Sequence, residues 1–285
     1  SVISGLQDTF NATIVKDGNF IWNIYCNDSA GNMGFGVNNF TINIDTQPPK
    51  LNFTSPTPSN DTNTTSTTII VNVTYQENNS GIIIFDFNGT LKIKSYSASE
   101  NFTNETYASL QGVYRFNVTI NDSAGNVNRT ETRIVSIDDT APSLLLESPA
   151  GTGYDTDGFV VFKYNVTDNI LGVKNCSLFI DNILNITNYT ITQGISQNFS
   201  KNLQNGTYNW SINCADYLNN INFSDTRDLT VDTTPPFWRN ESANDTQTAV
   251  QQQVCLYLNV SDTFSGLDTV RIKVRKPVTG LTGFI

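Results

Sequence analysis

Between Phe20 and Cys26 the chain alternates, with Phe20, Trp22, Ile24 and Cys26 on one phase and Ile21, Asn23 and Tyr25 on the other. The alternation returns at Tyr208, Trp210, Ile212 and Cys214, against Asn209, Ser211 and Asn213, and again at Ile69, Val71, Val73 and at Phe162, Tyr164, Val166. A period of two is what a strand produces when one face lies on a core, because successive side chains point to opposite sides. Turn residues recur roughly every ten positions between such stretches. Thr, Val, Ile and aromatic residues, which suit a pleated and half-buried surface, are abundant. The pattern predicts an all-β chain of short antiparallel strands with essentially no helix.

Laid on itself, the chain repeats with a period of 94 residues. Gly18 to Asn32 reads GNFIWNIYCNDSAGN, Gly112 to Asn126 reads GVYRFNVTINDSAGN, and Gly206 to Asn220 reads GTYNWSINCADYLNN. Each block leads through a strand into a linker ending at Pro49, Pro142 or Pro236, and a second matching set follows with Val73, Val166 and Val260. The boundaries expected from this are the C-terminal part of a repeat in 1–47, whole repeats in 48–141 and 142–235, and the N-terminal part of another in 236–285. Units just under 100 residues with these turn signals point to antiparallel β-sandwiches.

The phrase Leu203-Gln-Asn-Gly206-Thr-Tyr208, followed by alternating apolar residues, resembles the corner before the sixth strand of fibronectin type III and immunoglobulin-like domains. The closing Asp, Ser/Tyr, Gly/Asn and Asn, then Val/Ile-Asp-Thr-x-Pro-Pro, resembles tandem immunoglobulin-like repeats of archaeal and bacterial cell-surface proteins, over nearly the whole chain. The Asn/Thr-rich composition leans archaeal. The resemblance implies Ig-like sandwiches strung end to end in extracellular stalks, adhesins, surface layers or filaments, and implies no single ligand. Asn219 stands where the other copies have Gly31 and Gly125, a departure Asn accommodates because it also adopts left-handed turn geometry.

Charge narrows the function. Sixteen Lys+Arg against 26 Asp+Glu give a formal charge of −10, so the field repels phosphate backbones and anionic lipid. The chain has no histidine, which removes the commonest general base and metal imidazole, and no catalytic residue is assigned. No run of 18 apolar residues and no basic, apolar leader occurs, so neither a membrane span nor a signal peptide is expected in this segment. There are 25 Asn-x-Ser/Thr triplets where composition alone gives about 8. They include Asn11, Asn39, Asn72, Asn88, Asn117, Asn165, Asn205, Asn209, Asn222 and Asn259, and those on strands fall on the outward phase. The excess predicts N-glycosylation, against the alternative of a polar surface with accidental triplets.

Four cysteines in an apparently secreted chain read as disulfides. Cys176 and Cys214 of one repeat are the expected pair, with Phe85 and Ile120 as their apolar equivalents in the preceding repeat. Cys26 shares the phase of Cys214, which places its partner before Ser1, and Cys255 is either a link to another segment or chain or an isolated thiol. Acidic residues in the linkers (Asp45, Asp138, Asp139, Asp232) and turns (Asp28, Asp122, Asp216) invite a calcium reading, since carboxylate and carbonyl oxygens suit that ion. Asp and Asn in such turns also commonly bond their own backbone, and otherwise no cofactor is expected. Trp22 and Trp210 read as core residues, and Trp238 as packing on the preceding domain. Residues 1–45 supply later strands and 237–285 early ones, so each half is expected to be completed by a copy of the chain or by further repeats, head to tail. The function that follows is a non-enzymatic, glycosylated surface filament, stalk or layer. The alternative is an adhesin or glycan-binding region of a larger surface protein.

Overall fold

The computed structural model describes residues 9–244 and 252–273, together with Gly5, Gln7 and Ala249. Ser1 and Ile285 lie outside the described residues. The chain divides into two compact units, Ser1–Asp138 and Asp139–Ile285, and among the described residues every regular element is a strand.

The first unit begins with β1 (Gly18–Trp22), β2 (Tyr25–Asn27), β3 (Met33–Phe35) and β4 (Phe40–Ile44). β1 pairs antiparallel with β4, placing Trp22 opposite Phe40, and β2 pairs with β3. A sandwich follows from β5 (Lys50–Thr54), β6 (Thr62–Thr64), β7 (Ile69–Gln76), β8 (Gly81–Phe87), β9 (Thr90–Tyr96), β10 (Phe102–Tyr107), β11 (Gly112–Asp122), β12 (Val127–Arg129) and β13 (Arg133–Ile137). One sheet runs β10-β7-β5 and the other β6-β13-β11-β8-β9, with β12 on β11. The inward phase of each strand forms the core, where Val73, Ile83, Phe85, Phe116, Val118, Ile120, Val135 and Ile137 are buried. Burying a side chain of this size contributes about 1.5–3 kcal/mol, which sets the strand register, because a one-residue slip would turn the whole set to water.

The second unit repeats the plan with β14 (Ser143–Ser148), β15 (Gly153–Asp155), β16 (Phe159–Thr167), β17 (Val173–Ile180), β18 (Ile183–Asn188), β19 (Gln197–Asn202), β20 (Gly206–Asp216), β21 (Ile221–Phe223) and β22 (Arg227–Val231). Its sheets are β14-β16-β19 and β15-β22-β20-β17-β18, the same strand order as before. Phe162, Tyr164, Leu178, Trp210, Ile212 and Leu229 fill its core, and the Phe162 and Trp210 rings meet edge to face at 5.0 Å. β23 (Phe237–Ala243) and β24 (Leu256–Ser261) then form an antiparallel pair, a two-stranded sheet among the described residues.

The flanking pairs depart from the reading of every alternating tryptophan as core. Trp22 is half-exposed and stacks on Phe40 with centroids 4.8 Å apart, while its equivalents Phe116 and Trp210 are buried. Trp238 is 64% exposed rather than packed on a preceding domain. The cause is the same for both: among the described residues, no second sheet lies over the face that carries them.

Candidate functional site

The motif that recurs three times folds into one turn. Asp28, Asp122 and Asp216 each accept, through Oδ1, the backbone N–H groups two and four residues on, at 2.8–2.9 Å. Through Oδ2 each accepts the side-chain amide of the Asn four residues on, Asn32, Asn126 or Asn220, at 2.7–2.8 Å. Left-handed φ follows at Gly31, Gly125 and Asn219, so the Asn of the third copy takes the glycine's conformation. These bonds hold the Asp28 carboxyl below the usual carboxylate range, the Asn32 side chain contributing most. The corner before the long strand is also built as the resemblance implies: the Tyr114 hydroxyl donates to the Gln111 carbonyl and that of Tyr208 to the Gln204 carbonyl, each at 3.0 Å.

The turn of the first sandwich meets the linker that enters it. Asn126 donates to the Asp45 carbonyl at 3.1 Å, and Asn128 to that of Pro49 at 2.8 Å. Carboxylate oxygens of Asp45, Glu77 and Asp122 come within 4.8 Å of one another there. Hard oxygens at this spacing are of the kind that can hold a divalent cation. Their hydrogen bonds, however, go to their own surroundings: Asp45 accepts from Gln47 and Asn79, and Glu77 from the backbone of Asn78 and Asn79. Glu77 carried no signal in the sequence, since it stands alone in a polar loop. Of the other calcium candidates, Asp139 is exposed, and Asp232 accepts from Thr234 and Ser265; neither joins a carboxylate cluster among the described residues.

Cys176 and Cys214 are joined by a disulfide between directly opposed positions of β17 and β20. In the first sandwich the opposed residues are Ile83 and Ile120, which corrects the assignment of Phe85: Phe85 faces Val118. Equivalent positions on β8 and β17 lie 93 residues apart, whereas those on β11 and β20 lie 94 apart. Cys26 is an exposed thiol with Sγ 3.7 Å from the Gly34 carbonyl, and Cys255 is a half-buried one.

The asparagines of the glycosylation triplets sort by burial. Asn11, Asn39, Asn88 and Asn259 are exposed, Asn165, Asn205, Asn209 and Asn222 half-buried, and Asn72 and Asn117 buried. Asn72 keeps the outward phase, but the segment after β5 folds over it, so that its amide donates to the Ser55 carbonyl at 2.8 Å. Asn117 accepts from Arg129 Nε at 3.0 Å, and the Asn222 amide holds the Pro142 carbonyl at 2.9 Å. Asn72 and Asn117 are therefore buried by local cover, against the expectation that the outward phase leaves them in solvent.

Both complete sandwiches are two-sheet β-sandwiches with one strand order. No family model matches the chain, and no curated protein does. Among solved structures, the chain is similar to the fibronectin(III)-like modules of CbhA from Clostridium thermocellum, at 14% identity over 64% of this chain and 94% of that one, with a TM-score of 0.32. A 1.5-MDa bacterial ice-binding adhesin matches at 13% identity over 67% of each chain, also with a TM-score of 0.32. Tandem Ig domains of titin match at 12% identity over 65% of this chain and 98% of that one, with a TM-score of 0.28. No helix of the described residues is long and apolar enough to cross a membrane.

Proposed function

We propose that this chain is a non-catalytic, N-glycosylated structural repeat protein of the cell surface, a length of a stalk or filament whose sandwiches are completed by matching halves of other repeats. One observation carries the reading. The faces left open on β1–β4 and on β23–β24 are the two complementary faces of one sandwich. Trp22, Ile24 and Ile42, at 49, 58 and 40% exposure, correspond to Phe116, Val118 and Val135 of the first sandwich, all buried. On the other side Trp238 pairs opposite Val260 as Leu144 pairs opposite Val166, and Leu256 stands where Phe162 is wholly buried. In both complete sandwiches these two kinds of face close on each other, which supports the reading that each open face is covered by its counterpart. A partner carrying the same repeat, in the same polypeptide or the next copy, supplies it. The acidic charge, the excess of glycosylation triplets and the absence of histidine support an exterior, non-enzymatic role.

Immunogold labelling of intact source cells with an antibody raised against the chain tests the reading. Label along extracellular filaments or a surface layer is expected. Label confined to the cell interior would overturn it.

A further inference from the structure

The two sandwiches differ at the same open side. In the first, β9 and β10 are the edge strands of the two sheets. Lys92 and Lys94 of β9 share the phase of the buried residues they oppose, Phe85 and Ile83, and so point inward. Both ammonium groups reach Glu105 of β10 at 2.8 Å, and Lys92 also lies 4.6 Å from the centre of the Tyr107 ring. Inward charges on an edge strand deter another chain from adding to it, because pairing would strip water from them.

The second sandwich carries none of these three charges. By register, Ile186 opposite Leu178 and Asn188 opposite Cys176 stand for Lys92 and Lys94, and Gln197 opposite Tyr164 stands for Glu105 opposite Val71. Its edge strand β18, Ile-Leu-Asn-Ile-Thr-Asn, carries no charge, and Ile183, Leu184 and Ile186 are 70, 56 and 46% exposed. An uncharged apolar edge with unpaired backbone groups is a template for strand addition. Yet this strand carries a glycosylation triplet, Asn185-Ile-Thr, and Asn185 is exposed. It is also the extra residue of a β-bulge, skipped where the register passes from Leu178–Ile186 to Phe179–Leu184. A bulge frees its residue from the ladder and re-aims it.

We infer that Asn185 is an N-glycosylation site whose glycan blocks strand addition at β18, replacing the Lys–Glu–Lys cluster of the first sandwich. This rests on the glycoprotein reading above. A bulky hydrophilic oligosaccharide beside Leu184 and Ile186 occupies the path that an incoming strand would take.

Glycopeptide mapping of protein from its source separates the two readings. Sugar on Asn185 is expected. Occupied exposed triplets elsewhere, at Asn104 or Asn198, with Asn185 bare overturn this inference and leave the glycoprotein reading standing; bare asparagine at every triplet overturns both. In a glycosylating host, Asn185→Gln is expected to shorten the lag of thioflavin-positive aggregation several-fold, Asn104→Gln to leave it unchanged, and Leu184→Lys added to Asn185→Gln to restore it. An Asn185→Gln protein with the lag of the parent would contradict the protective role, and circular dichroism of each variant confirms that the sandwiches remain folded.

Discussion

Asp232 shows at one carboxylate how these linkers are fastened. Hydrogen bonds from Ser265 and Thr234 hold its carboxyl down at about 2, from an ordinary value of 3.8. The folded value is the depressed one, so the contact stabilises the linker above the unfolded value and is lost as pH falls from about 4 through about 2. A carbon-detected NMR titration should therefore place the Asp232 carboxyl near 2, with the Ser265 amide signal moving over the same range, and Asp232→Asn should abolish that movement. A midpoint at the ordinary value would contradict the bonded geometry. Such linker residues were legible as acidic turn positions in the sequence, but their partners were not. The amides of Asn32, Asn126 and Asn220 repeat in the alignment only as polar letters, and nothing in Glu77 marks it as a neighbour of Asp45 and Asp122. The burial of Asn72 was hidden for a related reason: the period of two gives the face a side chain takes, whereas the cover over that face comes from Ser55, seventeen residues away.

At the scale of elements, alternation located the long strands and their inward residues because burial of a sheet face constrains every second position. The cysteine pair was legible for the same reason, both thiols lying on inward positions of one repeat. The equivalence to the first sandwich slipped by two residues, from Ile83 to Phe85, because both lie on the inward phase and alternation alone does not say which of them faces Ile120. The disulfide spans a sequence separation of 38. Closing a loop of that size removes unfolded-state entropy, contributing about 2–4 kcal/mol. Cys176→Ala with Cys214→Ala should therefore lower the urea midpoint of the second sandwich, monitored at its buried Trp210, while the first sandwich, with Ile83 and Ile120 in place of the thiols, unfolds as before. Equal shifts in both sandwiches, or none, would count against this division. The short edge strands were the least legible elements. β6 and β15 span three residues each and pair parallel to β13 and β22, which alternation cannot reveal in so short a stretch.

For the whole molecule, the 94-residue period carried the organisation, because it matched not only whole repeats but the halves that flank them. Among the described residues, those halves leave exposed the apolar positions that the complete sandwiches bury. Burial at about 25 cal/mol per Å² of apolar surface drives closure of such faces whenever a matching half is present. Association should then run through complementary faces of different copies, β1–β4 of one against β23–β24 of the next, and should be lost when a charge is placed on either. Sedimentation velocity of the purified chain over a wide concentration range tests this most directly. The account predicts a weight-average mass that climbs with concentration through a ladder of oligomers, and a protomer mass throughout for Ile24→Asp or Leu256→Asp. A parent chain that sediments as a single protomer at every concentration would contradict it.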